Sequence, residues 1–415
     1  MNKENTLLVI GFVWPEPNSS AAGTRMLQII DCFINDGYRV VFASACSDSD
    51  YMVDLFDLGI EKVAIELNSS SFDFFIRDLN PRVVLFDRFM SEEQFGWRVA
   101  ENCPNALRVL DTEDLHCLRL ARQKAFKTKN DFTEDLVLSE DVAKREIASI
   151  LRSDLSLMIS KYEIELLVHV FKIDVNLLFY MPFLANSITD VDLGGMPSYK
   201  EREGYVFIGN FLHEPNWNTV QYLKETIWPL IREKNKEAVL SVYGAYPSQK
   251  VLQLHNPKEG FYIKGRAVSA QEVIKSSRVL LAPIRFGAGL KGKLYEAMMY
   301  GTPSATTSIG AEGMHDALAW NGIIEDDPVQ YAVDATELYR NEHLWLLSQK
   351  NGIAILNACY NKENYISEFM DTIRVLRRDL EKHRLYNFTG AMLMHHTLQS
   401  TKFMSRWIEE KNKKD

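Results

Sequence analysis

The sequence has no apolar run approaching the ~18 residues that a membrane-spanning helix requires, so any contact with a bilayer is peripheral. The apolar stretch near the start, Thr6 to Val13, is too short for a signal-peptide core followed by a cleavage site. It is expected to be a buried strand, in a protein that stays in the cytoplasm. Cysteine is scarce: Cys32, Cys46, Cys103, Cys117 and Cys359 are scattered, with no C-x-x-C pair and no histidine at zinc-like spacing. That pattern excludes a disulfide scaffold and predicts reduced, buried thiols. Positive charge is not in excess either. With 47 Lys and Arg against 56 Asp and Glu, the net charge is −9, which argues against nucleic acid as the main partner. Internal repeats of about 20 to 50 residues are missing, so solenoids and propellers fall away.

What is present is the makeup of an ordinary globular chain: 46% apolar, 25% charged and 11% aromatic over 415 residues. At roughly 100 to 200 residues per domain, two cores are expected. Short apolar runs recur with longer mixed segments between them: Leu7 to Phe12, Arg39 to Ser44, Arg82 to Asp87, Arg108 to Asp111 and Leu155 to Ser160. Continuous rather than alternating apolarity is the mark of parallel strands covered by helices on both faces. A polar stretch from Ala185 to Glu203, with Gly194, Gly195 and Pro197, marks the boundary. A second series then starts at Tyr205 to Gly209 and continues through Val239 to Tyr243, Phe261 to Lys264, Val279 to Pro283, Ser304 to Thr307 and Gly322 to Glu325. The expected class is α/β, with two Rossmann-like parallel-sheet domains over 1–190 and 200–365 facing a cleft, and a helical tail over 366–415. Ile366, Phe369, Met370, Ile373 and Leu376 in that tail are at helical spacing.

In open parallel sheets, ligands bind beyond the carboxyl ends of the strands, where helix N-termini point free N–H groups into a crevice. The segment LLAPIRFGAGLKGKLYEAMMYGTP, from Leu280 to Pro303, fits this rule best. A strand ends at Pro283, a turn carries Gly287 and Gly289, and a helix is expected from about Leu290 to Tyr300. Lys291 and Lys293 stand in its first turn, where the helix dipole disfavours cations, and an anionic ligand resolves the conflict. Glu296, three residues after Lys293, projects to the same side. Taken alone, this is either a solvated ion pair or a carboxylate that accepts vicinal ribose hydroxyls.

This segment resembles the donor-site signature of the retaining group 1 glycosyltransferases of the GT-B fold, with Glu296-Ala297-Met298 and Tyr300-Gly301-Thr302-Pro303 matching its second half. The resemblance implies that Glu296 binds the nucleotide ribose. It implies a first carboxylate eight residues earlier, but that position is Ala288. The N–H groups near Gly289 and Leu290, with Lys291 and Lys293, are the expected substitutes.

Ala22-Gly23, in the loop between the first strand and its helix, resembles the small-residue pair that lets backbone approach the donor. No G-x-G-x-x-G fingerprint is present there, which weighs against an oxidoreductase. His116, after Asp111-Thr112-Glu113-Asp114, resembles the first-domain histidine that approaches the reacting sugar. Asp87 and Arg88 end the preceding strand, where either contacts acceptor or caps a helix. Gly209 and Asn210 follow the opening strand of the second domain without the Arg and Lys that many relatives carry there, which leaves Lys291, Lys293 and Arg266 to neutralise a diphosphate.

The resemblance implies an enzyme of the hexosyltransferase type that joins a nucleotide-sugar donor to an acceptor hydroxyl, such as a glycan or a lipid-linked sugar, with retention and with neither a metal nor a separate cofactor. Two alternatives stay open: a nucleotide-sugar epimerase, and a non-catalytic binding module. Asp48-Ser49-Asp50 looks like a D-x-D metal motif, but so short a match is common by chance. Arg119, Arg122, Lys124, Lys127 and Lys129 form a basic run on one expected helix, which is either a solvated face or a docking face for a phosphorylated or lipid-linked acceptor at a membrane.

Overall fold

The structure is a computed structural model and describes residues 5–413. Its first sheet contains β1 (Thr6–Gly11), β2 (Arg39–Ser44), β3 (Glu61–Ala64), β4 (Val83–Asp87), β5 (Leu107–Asp111), β6 (Leu155–Met158) and β7 (Leu178–Tyr180), in the order β3-β2-β1-β4-β5-β6-β7. The second contains β8 (Tyr205–Ile208), β9 (Leu240–Tyr243), β10 (Phe261–Gly265), β11 (Val279–Ala282), β12 (Ser304–Thr306) and β13 (Gly322–Ile324), in the order β10-β9-β8-β11-β12-β13. All strand pairings in both sheets are parallel.

In each sheet the strand order reverses once, between β1 and β4 and between β8 and β11, and a crevice opens at such a reversal. The strands nearest the two reversals are almost wholly buried: every residue of β1, β4, β5 and β11 is covered. This is why β1, β4 and β11 read as almost continuous apolar runs, whereas β5 carries a buried Arg108. β3 and β7 have no such run, and both are edge strands. β3 is largely exposed and β7 has only three residues.

Helices cover both faces of each sheet. Phe72, Phe95, Leu118 and Leu166 fill one side of the first, and Ile29, Phe33 and Phe42 the other. Trp228, Tyr331 and Trp345 cover one side of the second, and Leu294, Met298 and Leu356 the other. The boundary segment is more ordered than its composition suggests. It holds a short helix, Asp190–Gly194, closed by a Thr189/Asp192 capping box. Arg202 is fully buried, with its guanidinium on the Pro197 and Tyr300 carbonyls at 2.9 Å each.

After the helix Glu342–Cys359 the chain crosses back. Ala185 donates to the Tyr360 carbonyl at 2.7 Å and accepts from Lys362 N–H at 2.8 Å. The helix Ile366–Arg378 then packs on the first sheet, with Phe369 fully buried between the Phe33 and Phe179 rings, at centroid distances of 5.6 and 5.5 Å. Further on, Arg384 grips Asp154 at 2.7 Å through both oxygens. The segment from 366 is therefore fastened to the first half. All cysteine thiols are free, but Cys46 is exposed, contrary to the expectation of burial, because it lies in the loop just after β2.

Phe369→Ala is expected to cost about 3 to 5 kcal/mol by leaving a cavity against β7 and the first helix. The change should appear as a lower urea midpoint for the first-half transition, and an unchanged midpoint would show that the return helix carries no packing energy.

Candidate active site between the two reversals

The carboxyl ends of the two sheets enclose a cleft of about 560 Å³, lined from the first half by Ala22, Arg88, Glu113 and His116, and from the second by Gly209, Asn210, Arg266, Leu290, Lys291, Lys293 and Glu296. Two expected site residues, Gly23 and Gly289, are not among the residues that line it.

The reason at Gly23 is local. The helix Ala21–Asn35 is capped by Ser20, whose Oγ accepts the Gly23 N–H at 3.1 Å, and the loop folds back so that a Cβ on Gly23 would stand 2.7 Å from the Glu16 backbone. Gly23 makes the fold-back possible, and Ala22 meets the cleft. Asp87 neither contacts the cleft nor caps a helix with its side chain. Instead it accepts the Phe12 N–H at 3.0 Å and pins the same loop. Arg88 next to it is left-handed, with φ 66°, and so is Glu113 at the end of the adjacent strand, with φ 62°. Non-glycine residues in that region are strained and collect at functional sites. Buried Asp111 beneath them is held by Arg25 at 3.0 and 3.1 Å.

His116 opens the helix His116–Thr128 with its ring edge-on to Phe89 and its Nε2 3.5 Å from Asp114 Oδ1. Burial lowers the imidazole pKa to about 4 against the opposing pull of Asp114, so the ring is neutral near pH 7. Despite burial, Arg119 and His116 hold the Asp114 carboxyl down at about 2. Burial and neighbouring Asp111 push Glu113 well above its usual range, and its Oε1 is buried without a partner.

On the other wall, the helix begins at Gly292 rather than near Leu290, and runs to Met299. Gly289 is left-handed, with φ 61°, and its N–H is donated to Glu163 Oε1 at 2.9 Å. This corrects the expectation that it serves a phosphate. Leu290 lines the cleft and belongs to the buried cluster that joins the halves through Ile159 and Phe183. Lys291 Nζ reaches back to the Gly289 carbonyl at 2.6 Å, while Lys293 Nζ donates to Asn216 Oδ1 at 2.8 Å. Asn216 Nδ2 in turn donates to the Asn210 carbonyl at 2.8 Å, which ties the first loop of the second half to the helix start. A Cβ on Gly209 would stand 2.9 Å from that amide.

Burial lowers Lys291 to about 8 even though Glu312 is near, and lowers Lys293 to about 8 even though Glu296 is near. Burial raises Glu296 to about 7 against the pull of Lys293. Two cations desolvated at a helix start, each bonded only to neutral groups, form a site whose charge calls for an anion.

Several residues that join the halves were not legible in the sequence, because each pairs with a partner far along the chain. Arg122, 5% exposed on its side chain, is bidentate to Glu312 at 2.7 Å and donates to the Gly287 carbonyl at 2.9 Å. Tyr246 donates to Glu16 at 2.8 Å, and Lys161 pairs with Asp316 at 2.8 Å. Arg266 lies over the Tyr51 ring at 4.2 Å and reaches Ser19 at 3.3 Å, so its guanidinium spans the rim of the cleft.

The expected basic run divides: Arg119 and Arg122 turn inward onto Asp114 and Glu312, while Lys124 and Lys127, beside Glu140 and Glu214, and Lys129 stay exposed as a solvated face. Asp48 pairs with Lys62 at 2.7 Å, and among the described residues no group of three or more His, Cys, Asp or Glu could hold a metal ion. Among them, too, no helix is long and apolar enough to cross a membrane.

The two helix starts also meet directly: a Cβ on Gly292 would stand 2.2 Å from Ala21 Cβ. Gly292→Ala is therefore expected to wedge the cleft open, read as a larger radius of gyration by small-angle scattering. Scattering identical to that of the wild type would show that the halves do not close on this contact.

Residues 202–341 match the family model described as "Glycosyl transferases group 1". A search of curated proteins finds no match. Solved structures similar to this one include sucrose-phosphate synthase from Thermosynechococcus elongatus, at TM-score 0.64 and 14% identity over 90% of this chain and 99% of that one. Anabaena HepE in complex with UDP-glucose has TM-score 0.64 and 10% identity over 89% and 100%. A variant of S. aureus TarM, in complex with fondaparinux, alpha-GlcNAc-glycerol and UDP, has TM-score 0.55 and 13% identity over 72% of this chain, which spans only 58% of that longer one. Identities this low establish the fold alone, and the family match is confined to 202–341. The chain has the two-domain GT-B fold, and residues 202–341 of its second half match the group 1 glycosyltransferase family model.

Proposed function

We propose that the cleft transfers a sugar from a nucleoside diphosphate donor to an acceptor hydroxyl on a glycan or a lipid-linked sugar, with retention of configuration and without a metal. The reading is carried by one observation: Lys291, Lys293 and Glu296 share one helix start inside the cleft, with Lys291 buried, Lys293 half-buried and no carboxylate bonded to either ammonium group. As the glycosidic bond breaks, negative charge accumulates on the diphosphate. The two lysines and the helix N-terminus stabilise that charge, most effectively where water is excluded. Glu296, once ionised, accepts hydrogen bonds from vicinal ribose hydroxyls. Neutral His116 positions the sugar by hydrogen bonding rather than by charge, and Arg88 and Glu113 face the acceptor side. UDP is the first ligand to try, since HepE and TarM are described with UDP or UDP-glucose.

Glu296→Ala is expected to weaken UDP binding by about 10- to 100-fold in calorimetry, the loss of hydrogen bonds to a charged acceptor, with the melting temperature maintained. Unchanged affinity would remove the ribose assignment. Lys291→Ala combined with Lys293→Ala is expected to slow release of UDP from a UDP-sugar by about 10² to 10³. A double variant turning over at the wild-type rate would contradict the role of the lysines, and binding without turnover in the wild type would favour a binding module.

The pH dependence has a definite sign. Lysine charge is complete below about 8 and is lost as pH rises through that value, while Glu296 gains its charge as pH rises through about 7. UDP affinity is therefore expected to peak between the two values and fall on either side, and a flat profile from about 6 to 9 would contradict it.

A further inference from the structure

The turn on the donor side and the helix that carries His116 belong to different halves, yet one carboxylate touches both. Glu163, in the helix Lys161–His169, is fully buried, and its Oε1 accepts the Leu115 N–H and the Gly289 N–H, each at 2.9 Å. Leu115 is the N-cap residue of the helix that His116 opens, and Gly289 is the left-handed residue of the donor turn.

Local preference points Glu163 elsewhere. Ser160-Lys161-Tyr162-Glu163 has the S-x-x-E pattern of a capping box at the start of its own helix, yet the Ser160 side chain makes no cap bond there. The glutamate is turned instead toward two N–H groups from other elements, and its Oε2 is buried without a partner.

The neighbours show what this bond controls. Glu146 accepts the His116 and Cys117 N–H groups at 3.0 and 2.9 Å, so three N–H groups at the start of this helix are held by two buried glutamate side chains. On the far side, a Cβ on Gly289 would stand 2.8 Å from Asp114 Cβ, and Asp114 is the residue 3.5 Å from the His116 ring. The distance between the donor turn and His116 is therefore set where Glu163 sits.

We propose that Glu163 is a positioning residue that couples the turn Gly287–Gly289 to His116 across the cleft, so that nucleotide held by the second half fixes the placement of His116 in the first. The proposal rests on the reading of the cleft as a sugar-nucleotide site. Burial, with Asp114 nearby, raises the Glu163 carboxyl to about 8, so near neutrality it is largely uncharged and glutamine is a close mimic.

The test uses the full-length protein as wild type, Glu163→Ala and Glu163→Gln. Hydrogen exchange by mass spectrometry is followed over 113–118 and 286–291, and UDP affinity by calorimetry. The alanine variant is expected to release both segments together and to raise the UDP dissociation constant about tenfold, while glutamine, whose Oε1 still accepts both N–H groups, stays within about twofold of wild type. Faster exchange in 113–118 alone, wild-type UDP affinity in the alanine variant, or a glutamine variant as impaired as alanine overturns the proposal. A role confined to the stability of the first half would leave the second-half turn undisturbed. If the alanine variant does not fold, Glu163→Asp, one carbon shorter, takes its place with the same expectation at 286–291. A wild type that does not bind UDP contradicts the donor assignment, and the paired release of the two segments still decides the coupling.

Discussion

Two ammonium groups desolvated at one helix start are the constraint around which the cleft is organised. A helix N-terminus already carries partial positive charge, so Lys291 and Lys293 in or just before the first turn of Gly292–Met299 add like charge to like. Nothing in the immediate shell cancels it: Lys291 is bonded to a backbone carbonyl and Lys293 to an amide oxygen. Glu296 softens the repulsion only in part, since burial holds its own carboxyl near 7. The arrangement costs stability in the empty protein and is relieved by a ligand with two adjacent negative charges.

Such a site works only if water is kept out, which is the task of the contacts between the halves. Gly292 against Ala21 brings two helix starts together with no room for another atom. Arg122 with Glu312, Tyr246 with Glu16 and Lys161 with Asp316 also join the halves, and the helix Ile366–Arg378 returns the chain to the first sheet. Most of these ties are polar or charged, suited to an interface that opens and closes rather than to a permanent core.

Much of this was legible in the sequence because burial on both faces leaves a continuous apolar run, as in Leu7–Ile10 and Val279–Ala282. The two edge strands of the first sheet escaped, β3 because exposure relaxes the demand for apolar residues and β7 because it has only three residues. The donor helix was visible through its glycines and its misplaced cations. The interior of the turn was not: Gly289 donates its N–H to a glutamate in the other half, 126 residues earlier, and no local pattern foretells such a partner. Arg122 likewise looks like one of a run of surface cations until Glu312 is brought against it by the fold. Arg88 stands out in the sequence at the end of its strand, but the left-handed backbone that it shares with Glu113 is not encoded in composition.

If a diphosphate settles beside the lysine pair, its binding takes up protons. At pH about 8.5 Glu296 is already ionised in the free protein, so at this helix start the lysines are the groups that gain protons when an anion settles beside them. The uptake attributed to them is the part lost in the Lys291→Ala, Lys293→Ala variant. Calorimetric titration of UDP in buffers of different ionisation enthalpy should report uptake of about one proton per nucleotide. Binding heats independent of the buffer would mean that the ammonium groups do not face the diphosphate.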